Sequence, residues 1–280
     1  MALTWPVVAA VLFGALLHAG WNALVKSSSD KALDTALIHL LGSVVAIPLV
    51  VLVGWPPAAA WPWLLASLVI HVGYYIALAG AYEHGDLGLT YPLMRGTAPL
   101  LVALSATITL GETLTPWAWA GVLAVSAGVL TLGLSRHAFE APTAVRFALV
   151  NAVIIAIYTV VDALGVRASG HALQYVATLF LLDGWPFALI VFLRRRGAFM
   201  PYARKRWPIA LGGAIASLGS YGIALWAMTQ APVATVAALR ETSVLFAVLL
   251  GAWFLKEAFT PRRVVGTLVI VAGVMALRLG

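Results

Sequence analysis

Charge is scarce in this chain, and where it falls inside long apolar stretches it marks the residues with chemistry to offer. Arg95 and Arg240 lie seven or eight residues into such stretches. A cation at that depth costs on the order of 3 kcal/mol, so it must face protein or water and have a partner. Two guanidiniums near one cavity suit a carboxylate held by paired N–H bonds. A structural ion pair, or snorkelling toward the membrane surface, would use the same residues. Asp162 and Asn22 stand near the ends of two other apolar stretches. There Asp162 is placed to carry a proton or face a substrate ammonium, or simply to cap a helix. Glu241 follows Arg240, and adjacent helical residues point about 100° apart, so the two need not pair. Asp183, beside Gly184 and Pro186, reads as part of a kink. His18, His39 and His71 titrate in the range that proton coupling uses, although a lone histidine in a helix is commonly a packing residue.

The aromatic residues divide by depth. Trp21, Tyr74, Tyr75, Tyr82, Tyr91, Tyr158, Tyr221 and Trp226 fall mainly inside apolar stretches, where they offer a flat wall with a polar edge. Trp55, Trp61, Trp63, Trp117, Trp119 and Trp207 sit at stretch ends and fit an interfacial belt. Glu112 and Glu257 close two stretches before tight turns, placed as gate residues or as structural struts. The chain has no cysteine, no two histidines at ligand spacing on one helix face, and no GxxxxGK[ST] loop. Thiol chemistry, a metal site, a cofactor and ATP hydrolysis by that route therefore have no support.

The elements that position these residues must be membrane helices. With 62% hydrophobic and 10% charged residues among 280, the chain departs far from the roughly 25% charge of soluble domains. Its apolar runs are near the length that crosses about 30 Å of hydrocarbon. Turn-rich and charged breaks divide it into ten candidate spans at 5–25, 34–54, 61–82, 88–110, 116–135, 143–164, 171–193, 207–229, 233–255 and 261–279. The first reads as a retained span, since it lacks a basic leader and is long for a signal core. Connections are mostly five to ten residues, so consecutive spans pack antiparallel. Thr115-Pro116 and Thr260-Pro261 each spell an N-cap followed by a first-turn proline.

Residues 90–134 and 235–279 align without a gap at an offset of 145, with 16 of 45 positions identical. Arg95 falls on Arg240, Thr97 on Thr242, Glu112 on Glu257, Gly121 on Gly266 and Gly128 on Gly273. Repeats of this kind mark alternating-access transporters, whose substrate lies between the repeats. The halves run 1–138 and 139–280; five spans each make the second inverted relative to the first. Thirteen of the 17 Lys and Arg residues fall on the side that carries the loops after odd-numbered spans. That side is cytoplasmic by the positive-inside rule, which leaves both termini non-cytoplasmic. The same rule accounts for the basic pI without nucleic acid.

The duplicated Glu-x-x-Thr-Pro…Gly…Gly pattern (Glu112, Thr115, Pro116, Gly121, Gly128; Glu257, Thr260, Pro261, Gly266, Gly273), with Trp21-Asn22…Lys26 ending the first span, resembles the EamA family of the drug/metabolite transporter superfamily. Within it the likeness is to bacterial inner-membrane exporters of amino acids, aromatic ones included, of the YddG type. The second half departs from the first, with Asp162 for Asn22, Val161 for Trp21, Val244 for Pro99 and Glu241 for Gly96. The resemblance implies an all-α polytopic inner-membrane protein of ten helices in two inverted five-helix repeats, with no enzymatic activity. Its small-molecule substrate would be an amino acid, with His18, Trp21, Asn22, Tyr74, Tyr75, Tyr91, Arg95, Tyr158, Asp162, Tyr221, Trp226 and Arg240 lining the site. The oligomeric state is left open, a monomer included. Sugar-phosphate or nucleotide-sugar antiport, a passive channel and a membrane-embedded enzyme are the rivals; no recognisable catalytic motif favours the last.

Overall fold

The computed structural model describes residues 3–85, 87–133, 141–255 and 260–280. Among these the chain is helical with no strand. Its helices are α1 (Trp5–Lys26), α2 (Lys31–Val53), α3 (Trp61–His84), α4 (Leu87–Thr109), α5 (Pro116–Gly133), α6 (Pro142–Ser169), α7 (Ala172–Arg194), α8 (Arg196–Gln230), α9 (Val233–Arg240), α10 (Thr242–Leu255) and α11 (Pro261–Leu279). Seven segments among the described residues are long and apolar enough to cross a membrane. Of the other long helices, α4 and α5 are more polar or shorter, and α11 carries Arg262, Arg263 and Arg278.

Two elements differ from the hydropathy reading. Helix α8 starts at Arg196 rather than 207. Its basic first turns are too polar for a hydropathy window, yet they bury Phe199 and hold Tyr202 and Arg206 on Asp34. As a result α7 and α8 are joined through Arg195 alone, and the turns after α6 and α8 span two residues each. The ninth candidate span is broken at Glu241 into α9 and α10. There Glu241 N–H bonds Ala238 O, Val244 N–H bonds Glu241 O, and the Thr242 hydroxyl bonds back to Leu239 O at 2.7 Å. A hydroxyl competing for a helix carbonyl favours such a local tightening to three-residue spacing.

Other boundaries follow the expected chemistry. Thr115 Oγ1 accepts from Ala118 N–H at 3.1 Å, and Thr260 Oγ1 accepts from Arg263 N–H at 3.4 Å. Each satisfies an orphan donor of a helix start, worth about 1 kcal/mol.

Several of the helix contacts fall into matching pairs. Helix α3 lies on α6 and α8 on α1; α4 lies on α6, and α9 with α10 on α1; α2 pairs with α7, and α5 with α11. Laying α1–α5 on α6–α11 in order, with α9 and α10 as one, exchanges the contacts of α6 with those of α1 and maps α2–α7 and α5–α11 onto themselves. The α5–α11 seam repeats at residue level. A Cβ on Gly121 would meet Leu277 at 2.6 Å, and one on Gly266 would meet Leu132 at 2.7 Å. One on Gly128 would meet Ile270 N, and one on Gly273 would meet Val125 N. Small residues here let two backbones approach within contact distance. Helix α7 likewise closes on α2 at Gly184, where a side chain would collide with His39 O and Ser43 Oγ.

Candidate functional site

The charges buried within the helices converge. Arg95, on α4, sets its Nε 2.9 Å from Glu241 Oε2 at the α9–α10 break, with both side chains nearly sealed from solvent. The contact is an ion pair without hydrogen-bond geometry: Arg95 Nε and Nη2 and Glu241 Oε2 are buried with no hydrogen-bond partner. Arg240 lies beside them with its guanidinium over the Tyr221 ring, 5.3 Å from the centroid. Arg95, Pro99, Ile155, Tyr158, Thr159, Arg240 and Glu241 line a cavity of about 10 Å³, room for a single water. His18, Tyr74, Tyr91 and Tyr158 are within electrostatic reach of Arg95. In this state the site is closed around its own charges.

A second carboxylate lies next to it. Asp162, on α6, is wholly buried and accepts from Tyr175 OH at 2.8 Å and from Tyr221 OH. Tyr221 thus touches both Asp162 and Arg240. A third group follows on the α2, α3 and α7 side. Asp183 Oδ1 is 3.4 Å from His71 Nδ1, and its Oδ2 accepts from Tyr75 OH at 3.2 Å. The same hydroxyl stands 3.4 Å from His39 Nδ1. The Tyr158 ring bridges the groups, 4.8 Å from His71 and 6.0 Å from Tyr74 between centroids. Charged, hydroxyl and imidazole groups therefore form one belt, walled by tyrosines.

The two ends of the molecule are tied across the halves. At one, Glu112 accepts from Arg167 Nη2 at 2.8 Å and from Val233 N–H, the first residue of α9, at 2.8 Å. Arg167 Nε also bonds Met228 O. A carboxylate on the free N–H groups of a helix start meets the positive end of its dipole. At the other, Asp34 accepts from Tyr202 at 2.9 Å and Arg206 at 3.1 Å, and Arg195 pairs with Asp30 at 2.6 Å.

Of the residues read from sequence, His18, Tyr74, Tyr91, Arg95, Tyr158, Asp162, Tyr221 and Arg240 come together, and Tyr75 joins through Asp183. On α1, Trp21 packs edge-on to His18 at 5.4 Å, with a buried, unpartnered indole N–H. Asn22 spends its amide on its own helix, at His18 O. Trp226 stands apart, half-exposed, in a separate cavity of about 720 Å³ with Arg167, His171, Gly222, Ile223 and Gln230. Glu112 is at the end of the molecule rather than in the belt, and Glu257 lies outside the described residues. Sequence reasoning missed the pairing of Arg95 with Glu241, the tyrosine donors to Asp162, and Arg167 as the partner of Glu112. It also underrated Asp183. A carboxylate inside an apolar stretch was the available signal for each acid.

Comparisons with known proteins fit this architecture. Residues 142–279 match the model of the EamA-like transporter family, which supports that family and a multi-pass membrane protein that moves solutes. No curated protein matches the sequence. A crystal structure matches over 98% of this chain and 95% of its own, with 20% identity and a TM-score of 0.77; at that identity it speaks for the fold alone.

Proposed function

We propose that this EamA-type chain is a ten-span secondary transporter exporting amino acids, large apolar or aromatic ones first, through a site between two inverted halves. The single observation that carries the reading is the belt built by α1, α3, α4, α6, α8 and α9, in which Arg95 and Glu241 face each other from opposite halves. Buried charges of both signs beside a tyrosine wall suit a zwitterion with a flat side chain. The mirrored α5–α11 contacts and the pairwise helix contacts support the inverted repeat. The orientation rests on positive charge, which places the Arg194–Arg206 end in the cytoplasm and both termini outside.

In this reading the halves rock about the α5–α11 seam. The end ties at Glu112 and at Asp34 open in turn, and the cavity around Arg95 and Arg240 widens to admit the substrate carboxylate. The Tyr74, Tyr158 and Tyr221 walls bury its side chain. The His71, Asp183 and Asp162 groups are placed to carry a proton if export is coupled to one.

Uptake into proteoliposomes of labelled amino acids, set against triose phosphate and nucleotide sugars, tests the assignment. Trp, Phe, Tyr and Met are expected to compete about tenfold to a hundredfold better than Ser and Gly, from apolar burial and stacking of roughly 1–3 kcal/mol. Sugar phosphate outcompeting every amino acid would overturn it.

A further inference from the structure

The buried acids divide by whether any hydrogen-bond donor reaches them. Asp162 holds two tyrosine hydroxyls, one on each oxygen. Asp183 accepts from Tyr75 on one oxygen and has His71 Nδ1 3.4 Å from the other. Asp34 takes Tyr202 and Arg206 on one oxygen, its other being buried without a partner, and Glu112 takes Arg167 and a helix N–H. Among the described residues buried within the spans, Glu241 alone faces a cavity without a hydrogen-bonded donor. Its ion-pair partner, Arg95, is likewise left with two unsatisfied nitrogens, while Arg240 lines the same cavity.

We infer that the Arg95–Glu241 pair is a lock that a zwitterion alone opens, with Glu241 as the residue that reads the substrate ammonium. The inference rests on the amino-acid reading of this site and replaces Asp162 as the ammonium partner. The pair spans the two halves, and the cavity beside it holds about one water, so admitting a ligand means parting the two charges. Parting a buried pair is costly unless both ions are compensated at once. An α-amino acid does this in one molecule, its carboxylate on Arg95 and its ammonium on Glu241. A simple carboxylate leaves Glu241 bare, and a simple amine leaves Arg95 bare. A phosphate ester places two negative charges against Glu241.

The test uses three ligands with one side chain: phenylalanine, phenylpropionate and phenethylamine, competed against labelled phenylalanine on purified protein. Native protein is expected to prefer phenylalanine by 100-fold or more over both, the scale of rejection when a built polar site loses its partner. In Glu241→Gln phenylpropionate should equal or pass phenylalanine, and Glu241→Asp should restore the native order. The Arg95→Gln/Glu241→Gln double variant leaves neither member of the pair bare, so it answers even if the single variant folds poorly; it should lose most of the discrimination among the three. Native-like preference in Glu241→Gln or in the double variant would overturn the inference and leave amino-acid transport standing. Native protein that takes phenylpropionate as well as phenylalanine would overturn it too. Native protein that binds none of the three would sink the amino-acid reading, and the inference with it.

Discussion

Arg95 and Arg240 occupy equivalent places in the repeat and differ in what holds them. Arg95 is paired with a buried carboxylate from the opposite half, whereas Arg240 rests on the face of Tyr221. Removing Arg95 strands Glu241, so Arg95→Ala is expected to lower stability by about 3–5 kcal/mol as well as abolish flux. Arg240→Ala gives up a cation–π contact of about 0.5–2 kcal/mol, so its flux should fall with little loss of stability. Thermal unfolding in detergent beside proteoliposome flux separates the two; equal destabilisation would contradict this division. Tyr221→Phe removes one of the two donors to Asp162 and should cost about 1–3 kcal/mol, measured in the same way. The charged positions were legible in the sequence because charge inside an apolar run stands out. Their partners were not. Glu241 meets Arg95 across 146 positions of chain, and Tyr175 and Tyr221 reach Asp162 from two other helices, so only the packing brings each pair together.

At the scale of elements, helix starts with local chemistry were readable, and those set by tertiary contacts were not. Thr115 and Thr260 cap α5 and α11 as their Thr-Pro spelling implies. The start of α8 was hidden because its first turns are basic, and the break at Glu241 because the polar run Arg240–Ser243 lies inside a stretch long enough to read as one span. The α5–α11 seam gives a prediction that depends on the repeat itself. Gly121→Ala and Gly266→Ala place a methyl into equivalent crowding, 2.6–2.7 Å from Leu277 and Leu132. Each should destabilise by about 1–3 kcal/mol. Gly20→Ala, with open space around the new Cβ, should be neutral or gain up to about 1 kcal/mol from helix propensity. Melting temperatures of the three variants decide it, and a mild Gly121→Ala beside a severe Gly266→Ala would argue against equivalent packing.

For the whole molecule, the duplicated segment was enough to expect two related halves. Which contacts close the ends was out of reach, because Arg167 and Val233 meet Glu112 only after the halves dock. Glu112→Ala should loosen that end and expose the centre. The chain contains no cysteine, so a lone Thr159→Cys beside the central cavity reports the change directly. A membrane-impermeant thiol reagent should label it faster from the Glu112 end in the Glu112→Ala background, and an unchanged rate would mean that Glu112 is no lock.

Carriage between two alternately open halves is the central claim, and counterflow in proteoliposomes tests it most directly. Vesicles preloaded with unlabelled phenylalanine should accumulate labelled phenylalanine transiently above its external concentration, with exchange faster than net efflux, and Arg95→Ala should abolish the overshoot. Tracer that equilibrates at one rate whether or not the vesicles are preloaded would describe a passive pore and contradict the account.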